Sequence, residues 1–118
     1  MTALEKAKKI AEVLDAKRGK DVRILKVLDQ TVITDYFVIC GGTSNTHLKA
    51  LSDEVEFRLR EEDDLLPERI EGYQTAAWIL LDYADVIVHI FDPASRDFYK
   101  LEKLWADAEP VPFTAKYD

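Results

Sequence analysis

Residues 76–92 read AAWILLDYADVIVHIFD, the most apolar stretch of the chain, and its conformation decides the architecture around it. Two apolar runs flank Asp82-Tyr83-Ala84-Asp85, a turn-prone tetrapeptide, so a β-hairpin is expected. Alternation along the first run places Trp78, Leu80 and Asp82 on one face, with Ile79 and Leu81 on the other. Along the second run His89 falls with Ile87 and Phe91, opposite Val86, Val88 and Ile90. The same window holds three carboxylates and a histidine, which raises a competing reading as a metal or acid–base site. Each of these groups has a sufficient structural role. Asp82 and Asp85 bracket the turn, where aspartate bonds its own backbone, and Asp92 precedes Pro93 at a second turn. No serine or cysteine in the stretch could serve His89 as a nucleophile, so His89 is expected to be a half-buried, hydrogen-bonded strand residue.

The segments around the hairpin alternate between helical and extended patterns. Thr2-Ala3-Leu4-Glu5 has capping-box spacing, and Leu4, Ala7, Ala11 and Leu14 follow at helical intervals, with Gly19 as the stop. An amphipathic helix is therefore expected over residues 3–18, and a strand over 21–29 (DVRILKVLD). YFVIC, up to Cys40, is a continuous apolar run typical of a central strand buried on both faces. Gly41-Gly42-Thr43-Ser44 breaks it. Leu48, Leu51, Val55 and Leu59 then share one face of a second helix over 45–62. A short extended piece at 68–70 precedes the hairpin. Ser95 is expected to cap a last helix running through Phe98, Leu101, Leu104 and Trp105. The result is a single α/β domain, residues 1–109, with a mixed sheet of about five strands flanked by helices. Residues 110–118, with two prolines and little pattern, are expected to form a flexible tail.

Composition narrows the function. The 118-residue chain carries 16 basic and 23 acidic residues, a net charge of −7, which disfavours nucleic acid as the main ligand. The same balance favours a basic protein partner through complementary potentials. The single cysteine excludes an internal disulfide and, inside an apolar run, reads as core. No signal peptide is recognised, and the longest apolar run is interrupted by Asp82, Asp85 and His89, so a cytoplasmic protein with no membrane contact is expected.

The Gly41-Gly42-Thr43-Ser44 turn before a helix invites a phosphate-binding reading, but it lacks the spacing of a P-loop or a dinucleotide fingerprint. A nucleotidyltransferase would need two carboxylates on one face of the following strand. Asp53, Glu54 and Glu56 instead fall within a helical pattern, where residues two apart point about 200° apart. Glu54 and Glu56 therefore cannot clamp one metal, and no metal or other cofactor is expected. Trp78 stands apart from these groups: its face ends in Asp82 and can be reached from outside, which suits an aromatic anchor in an interface as well as a core position.

Taken together, ALEKAKKIAEVLDAKRGKDVRILKV, TDYFVICGGTS, the Glu-Gly before WILLDYADVIVHIF, and RDFYKLEKLW resemble the ribosomal silencing factor (Iojap-related) family over residues 3–108. Ala84 stands where many members have glycine. The resemblance implies a fold similar to nucleotidyltransferases without their catalytic carboxylates, and a non-enzymatic translational repressor. It implies binding to the large ribosomal subunit through its ribosomal protein fourteen, a small basic protein, and a block on joining of the small subunit when nutrients are scarce. On this reading Trp78, Leu80, Asp82 and Tyr83 dock on the partner, while Arg96 and Tyr99 shape that surface or pack beneath it. The alternative is a nucleotide binder or residual nucleotidyltransferase that uses the 41–44 turn with Thr43, Ser44 and His47. Self-association through the same sheet face, giving a homodimer, is a third expectation.

Overall fold

The computed structural model describes residues 1–99 and 106–117, without the side chains of 97–99. The chain opens with α1 (Ala3–Ala16), followed by β1 (Lys20–Lys26) and β2 (Tyr36–Gly41). After α2 (Asn45–Asp63) come β3 (Arg69–Glu71), β4 (Trp78–Asp82) and β5 (Val86–Phe91), then α3 (Pro93–Tyr99) and β6 (Glu109–Val111). The strands form one sheet in the order β3-β4-β5-β2-β1-β6. Only β2 and β5 run parallel. Parallel neighbours need a long crossover, and here it is α2 together with β3 and β4. The two strands at the centre, β2 and β5, are buried along their whole length; for β2 its unbroken apolar run predicts this, whereas His89 in β5, expected to be half-buried, is fully taken into the core.

Local chemistry explains most element boundaries. Thr2 accepts from the backbone N–H of Glu5 at 3.1 Å while Glu5 accepts from the Thr2 N–H at 2.8 Å, completing the capping box. The C-terminus of α1 comes two residues earlier than expected, because Arg18 rather than Gly19 takes the left-handed conformation (φ 67°). Arg18 and Gly19 then donate to the carbonyls of Asp15 and Leu14, a Schellman closure. Gly19 serves by its smallness: a Cβ there would lie 2.9 Å from the Leu14 carbonyl oxygen. Asp92 caps α3, accepting from Ser95 N–H at 2.7 Å, so Ser95 is inside the helix and not its cap. The expected continuation of that helix through Leu101, Leu104 and Trp105 lies outside the described residues, as does the side chain of Phe98.

α1 and α2 pack against each other and against one face of the sheet. The core there is built from Ile10, Leu14, Leu48, Leu51, Leu59, Val38, Cys40, Ile79, Leu81, Val88 and Ile90. Cys40 is fully buried, and burial pushes its thiol up to about 12, which agrees with a packing role. The opposite face carries a second apolar cluster of Leu25, Val27, Phe37, Ile39, Ile87, Phe91 and Ala108, with Trp78 and Leu80 packed against it. The sheet has six strands where about five were expected. The extra one, β6, begins at the last residue of the expected domain and runs into the segment read as a tail: Glu109 to Val111 pair antiparallel with Lys26 to Ile24. Beyond it Phe113 packs on the core and the Lys116 N–H donates to the Asp15 carboxylate at 2.8 Å.

Candidate interaction face

The hairpin folds as its alternation predicts. Ile79 and Leu81 are completely buried under the helices, whereas Trp78, Leu80 and Asp82 point to the other face and remain half-buried. The register Leu80↔His89 and Trp78↔Phe91 sets the histidine beside the tryptophan on that face. The Trp78 indole N–H donates to His89 Nδ1 at 3.1 Å, and its ring stacks on Phe91 with centroids 5.0 Å apart. Phe37 closes the group edge-on to His89 at 4.7 Å. Trp78 is therefore clamped by two rings and a hydrogen bond, a rigid apolar surface of the kind that loses little entropy on binding.

His89 has a definite protonation state. An indole N–H can only donate, so Nδ1 must be the bare acceptor nitrogen and the proton sits on Nε2. That Nε2 is buried and has no partner among the described residues. Burial pulls the His89 pKa down from 6.5 to about 4. The unfolded chain thus takes up a proton near pH 6.5 that the folded chain refuses until about pH 4. The stability from neutral His89 is complete above pH 6.5 and is lost as pH falls through that window. At pH 5 the loss is about 2 kcal/mol. Urea melts of wild type and His89→Gln at pH 7.5 and 5 should show the smaller pH dependence in the variant; equal dependence would remove His89 as the source.

The other expected site residues separate. Asp82 stays on the face but its carboxylate is occupied, accepting from the Ala84 N–H at 2.8 Å and facing Arg69 at 3.3 Å. Tyr83, expected on the surface, is 4% exposed and belongs to the core under the helices. Period-two alternation carried one residue past β4 sets Tyr83 with Ile79 and Leu81 on the helix-covered face, and its N–H bonds Val86 O within the turn. Burial pushes its hydroxyl pKa up. Arg96 reaches toward β1, donating to Lys20 O at 3.2 Å and pairing with Asp21 at 3.3 Å. The Tyr99 side chain lies outside the described residues. Gly72, in the Glu-Gly pair before the hairpin, was given no role by sequence reasoning. It has φ +79°, and a Cβ there would stand 2.0 Å from the Trp78 carbonyl oxygen. The only available signal was a glycine in a turn, which does not reveal what it approaches.

The 41–44 turn is committed to structure. Ser44 caps α2, accepting from the His47 N–H at 3.1 Å. His47 Nδ1 accepts from the Thr43 N–H at 2.9 Å, while Nε2 lies 3.0 Å from the Lys17 carbonyl, tying the end of α1 to the start of α2. Thr43 N–H, which a phosphate would need, is thus already used. Asp53, Glu54 and Glu56 all lie on α2, as their helical pattern predicts. Among the described residues no group of three His, Cys, Asp or Glu side chains could hold a metal ion.

Comparison with known proteins places this geometry in a family. The family model described as ribosomal silencing factor during starvation matches residues 1–117. The ribosomal silencing factor of Halalkalibacterium halodurans is 38% identical over 98 residues, covering 83% of each chain. That of Bacillus subtilis is 37% identical over 98 residues, covering 83% of this chain and 82% of its own. The crystal structure of a Chromobacterium violaceum protein superimposes with a TM-score of 0.86 at 32% identity, covering 99% of this chain and 96% of that one.

Proposed function

The chain belongs to the ribosomal silencing factor family, and from that premise we propose that it binds the large ribosomal subunit through ribosomal protein fourteen and sterically blocks joining of the small subunit. The observation that carries this reading is the half-exposed Trp78–Leu80 surface, held rigid by Phe91 and His89 on the sheet face opposite α1 and α2. A preformed aromatic anchor of this kind is what protein interfaces concentrate their binding energy on. The charge of −7 complements a basic ribosomal protein and opposes direct seating on ribosomal RNA. Repression needs no chemical step, cofactor or metal: occupying the intersubunit surface is sufficient. Its place of action is the cytoplasm, where the ribosomes are.

An ordinary interface buries about 1,200–2,000 Å², enough for Trp78, Leu80 and their surroundings to form its centre. The wild-type protein is expected to co-sediment with purified large subunits, and pre-bound large subunits should fail to form full ribosomes when small subunits are added. Absence of co-sedimentation would sink the docking, while co-sedimentation with undiminished joining would sink the steric block.

A further inference from the structure

One end of the domain carries an apolar pair that neither the core nor the hairpin face uses. Val32 is 104% and Ile33 74% exposed, with Leu28 beside them at 41%. These residues belong to the connection between β1 and β2, which its own hydrogen bonds hold in shape. Gln30 and Thr31 donate from their backbones to Val27 O, and the Thr31 hydroxyl accepts from the Ile33 N–H at 3.1 Å. The loop therefore presents two β-branched side chains to water on a defined backbone, where a soluble surface would ordinarily place polar residues.

The loop adjoins the hairpin turn. Asp35 and Tyr36 donate from their backbones to Asp85 O, so the 28–34 loop and the Asp82–Asp85 turn form a single surface at the end of the sheet where Asp82 closes β4. That surface is acidic. Asp29, Asp35, Asp82 and Asp85 lie on it, and residues 27–37 contain no lysine or arginine. Lys6 pairs with Asp85 at 2.6 Å and Arg69 with Asp82 at 3.3 Å, whereas Asp29 and Asp35 make no side-chain ion pair among the described residues.

We propose that Val32 and Ile33, with Asp29 and Asp35 in the same stretch of chain, form a second contact that inserts into an apolar spot on a basic protein surface of the large subunit, extending the Trp78 face around the end of the sheet. The inference rests on the proposed large-subunit docking. Its occupant follows from charge: the carboxylates repel both nucleic acid and a second copy of this acidic chain and attract lysine and arginine. The apolar pair supplies the area that charges alone do not.

The test measures binding of the full chain to purified bacterial large subunits for wild type, Val32→Ser/Ile33→Ser and Ile33→Lys. All three should share one melting temperature, since the substituted side chains are exposed. The double serine variant should bind about 10-fold more weakly, and Ile33→Lys more weakly still, because a cation is brought to a basic surface. Wild-type affinity in the double serine variant would overturn the contact while leaving the Trp78 docking intact. Tighter binding by Ile33→Lys would overturn the partner's chemistry and point to ribosomal RNA. If the wild type itself does not bind, both this inference and the docking reading fall.

Discussion

Trp78→Ala is expected to weaken binding to purified large subunits by ~2–4 kcal/mol, roughly thirty- to thousand-fold. Among the described residues the indole is the largest partly exposed ring on the face, and its orientation is set before any partner arrives by Phe91 at 5.0 Å and His89 at 3.1 Å. Truncation removes both the contact surface and the partner of His89 Nδ1. Part of the effect could therefore come through the fold, since a buried polar atom left unpaired costs about 1–3 kcal/mol. Trp78→Phe separates the two contributions. It keeps a ring over Phe91 but removes the donor, so it should lose stability while retaining much of the affinity. Thermal melts together with equilibrium binding on both variants provide the check. A folded Trp78→Ala protein that binds like wild type would exclude this face as the docking surface.

Gly72→Ala is expected to destabilise the protein by about 2–5 kcal/mol, combining a strained left-handed alanine with a backbone collision. The collision is specific: the added methyl would sit 2.0 Å from Trp78 O, so either the turn after β3 or the start of β4 has to move. Gly72 O also accepts from Ala76 N–H at 2.9 Å, and Ala76 itself is left-handed at φ 55°, which leaves the turn little freedom to adjust. Binding should weaken even at temperatures where the variant is folded, because the displaced backbone carries Trp78 with it. Gly41→Ala is the matched control. Its Cβ would meet nothing closer than 3.7 Å, so denaturant melts and binding should stay near wild type. Equal behaviour of the two alanine variants would show that the Gly72 approach to Trp78 does not matter.

Much of the architecture is legible in local pattern. The capping box at Thr2 and Glu5, the helical face of Leu48, Leu51, Val55 and Leu59, and the opposed faces of β4 all follow from spacing, because burial imposes periods of 3.6 and 2 on the chain. The departures are of a different kind. Arg18 occupies the left-handed position that glycine normally takes, and Asp92 rather than Ser95 caps α3; neighbouring residues were chemically competent for the same task. β6 is three residues long with a proline at its centre, too short for any period, and it exists only because β1 offers an edge. In the interaction face, alternation correctly groups Trp78 with Leu80 and Asp82. Carried one residue further, the same alternation sets Tyr83 with Ile79 and Leu81 toward the core, but it cannot foresee that Arg96 reaches across to β1. That outcome depends on tertiary geometry, and so does the approach of Gly72 to the Trp78 carbonyl.

The two boundaries of the sheet have a bearing on colloidal behaviour. β3 and β6 are each three residues long; one carries Arg69 and Glu71 and the other Pro110, which has no N–H to offer. Short, charged or proline-bearing margins are poor templates for adding further strands. A molecule that docks through a partly exposed sheet face, as proposed here, is thereby discouraged from polymerising through its backbone. The cost of that exposure is confined to side-chain stickiness, which a net charge of −7 counteracts by mutual repulsion.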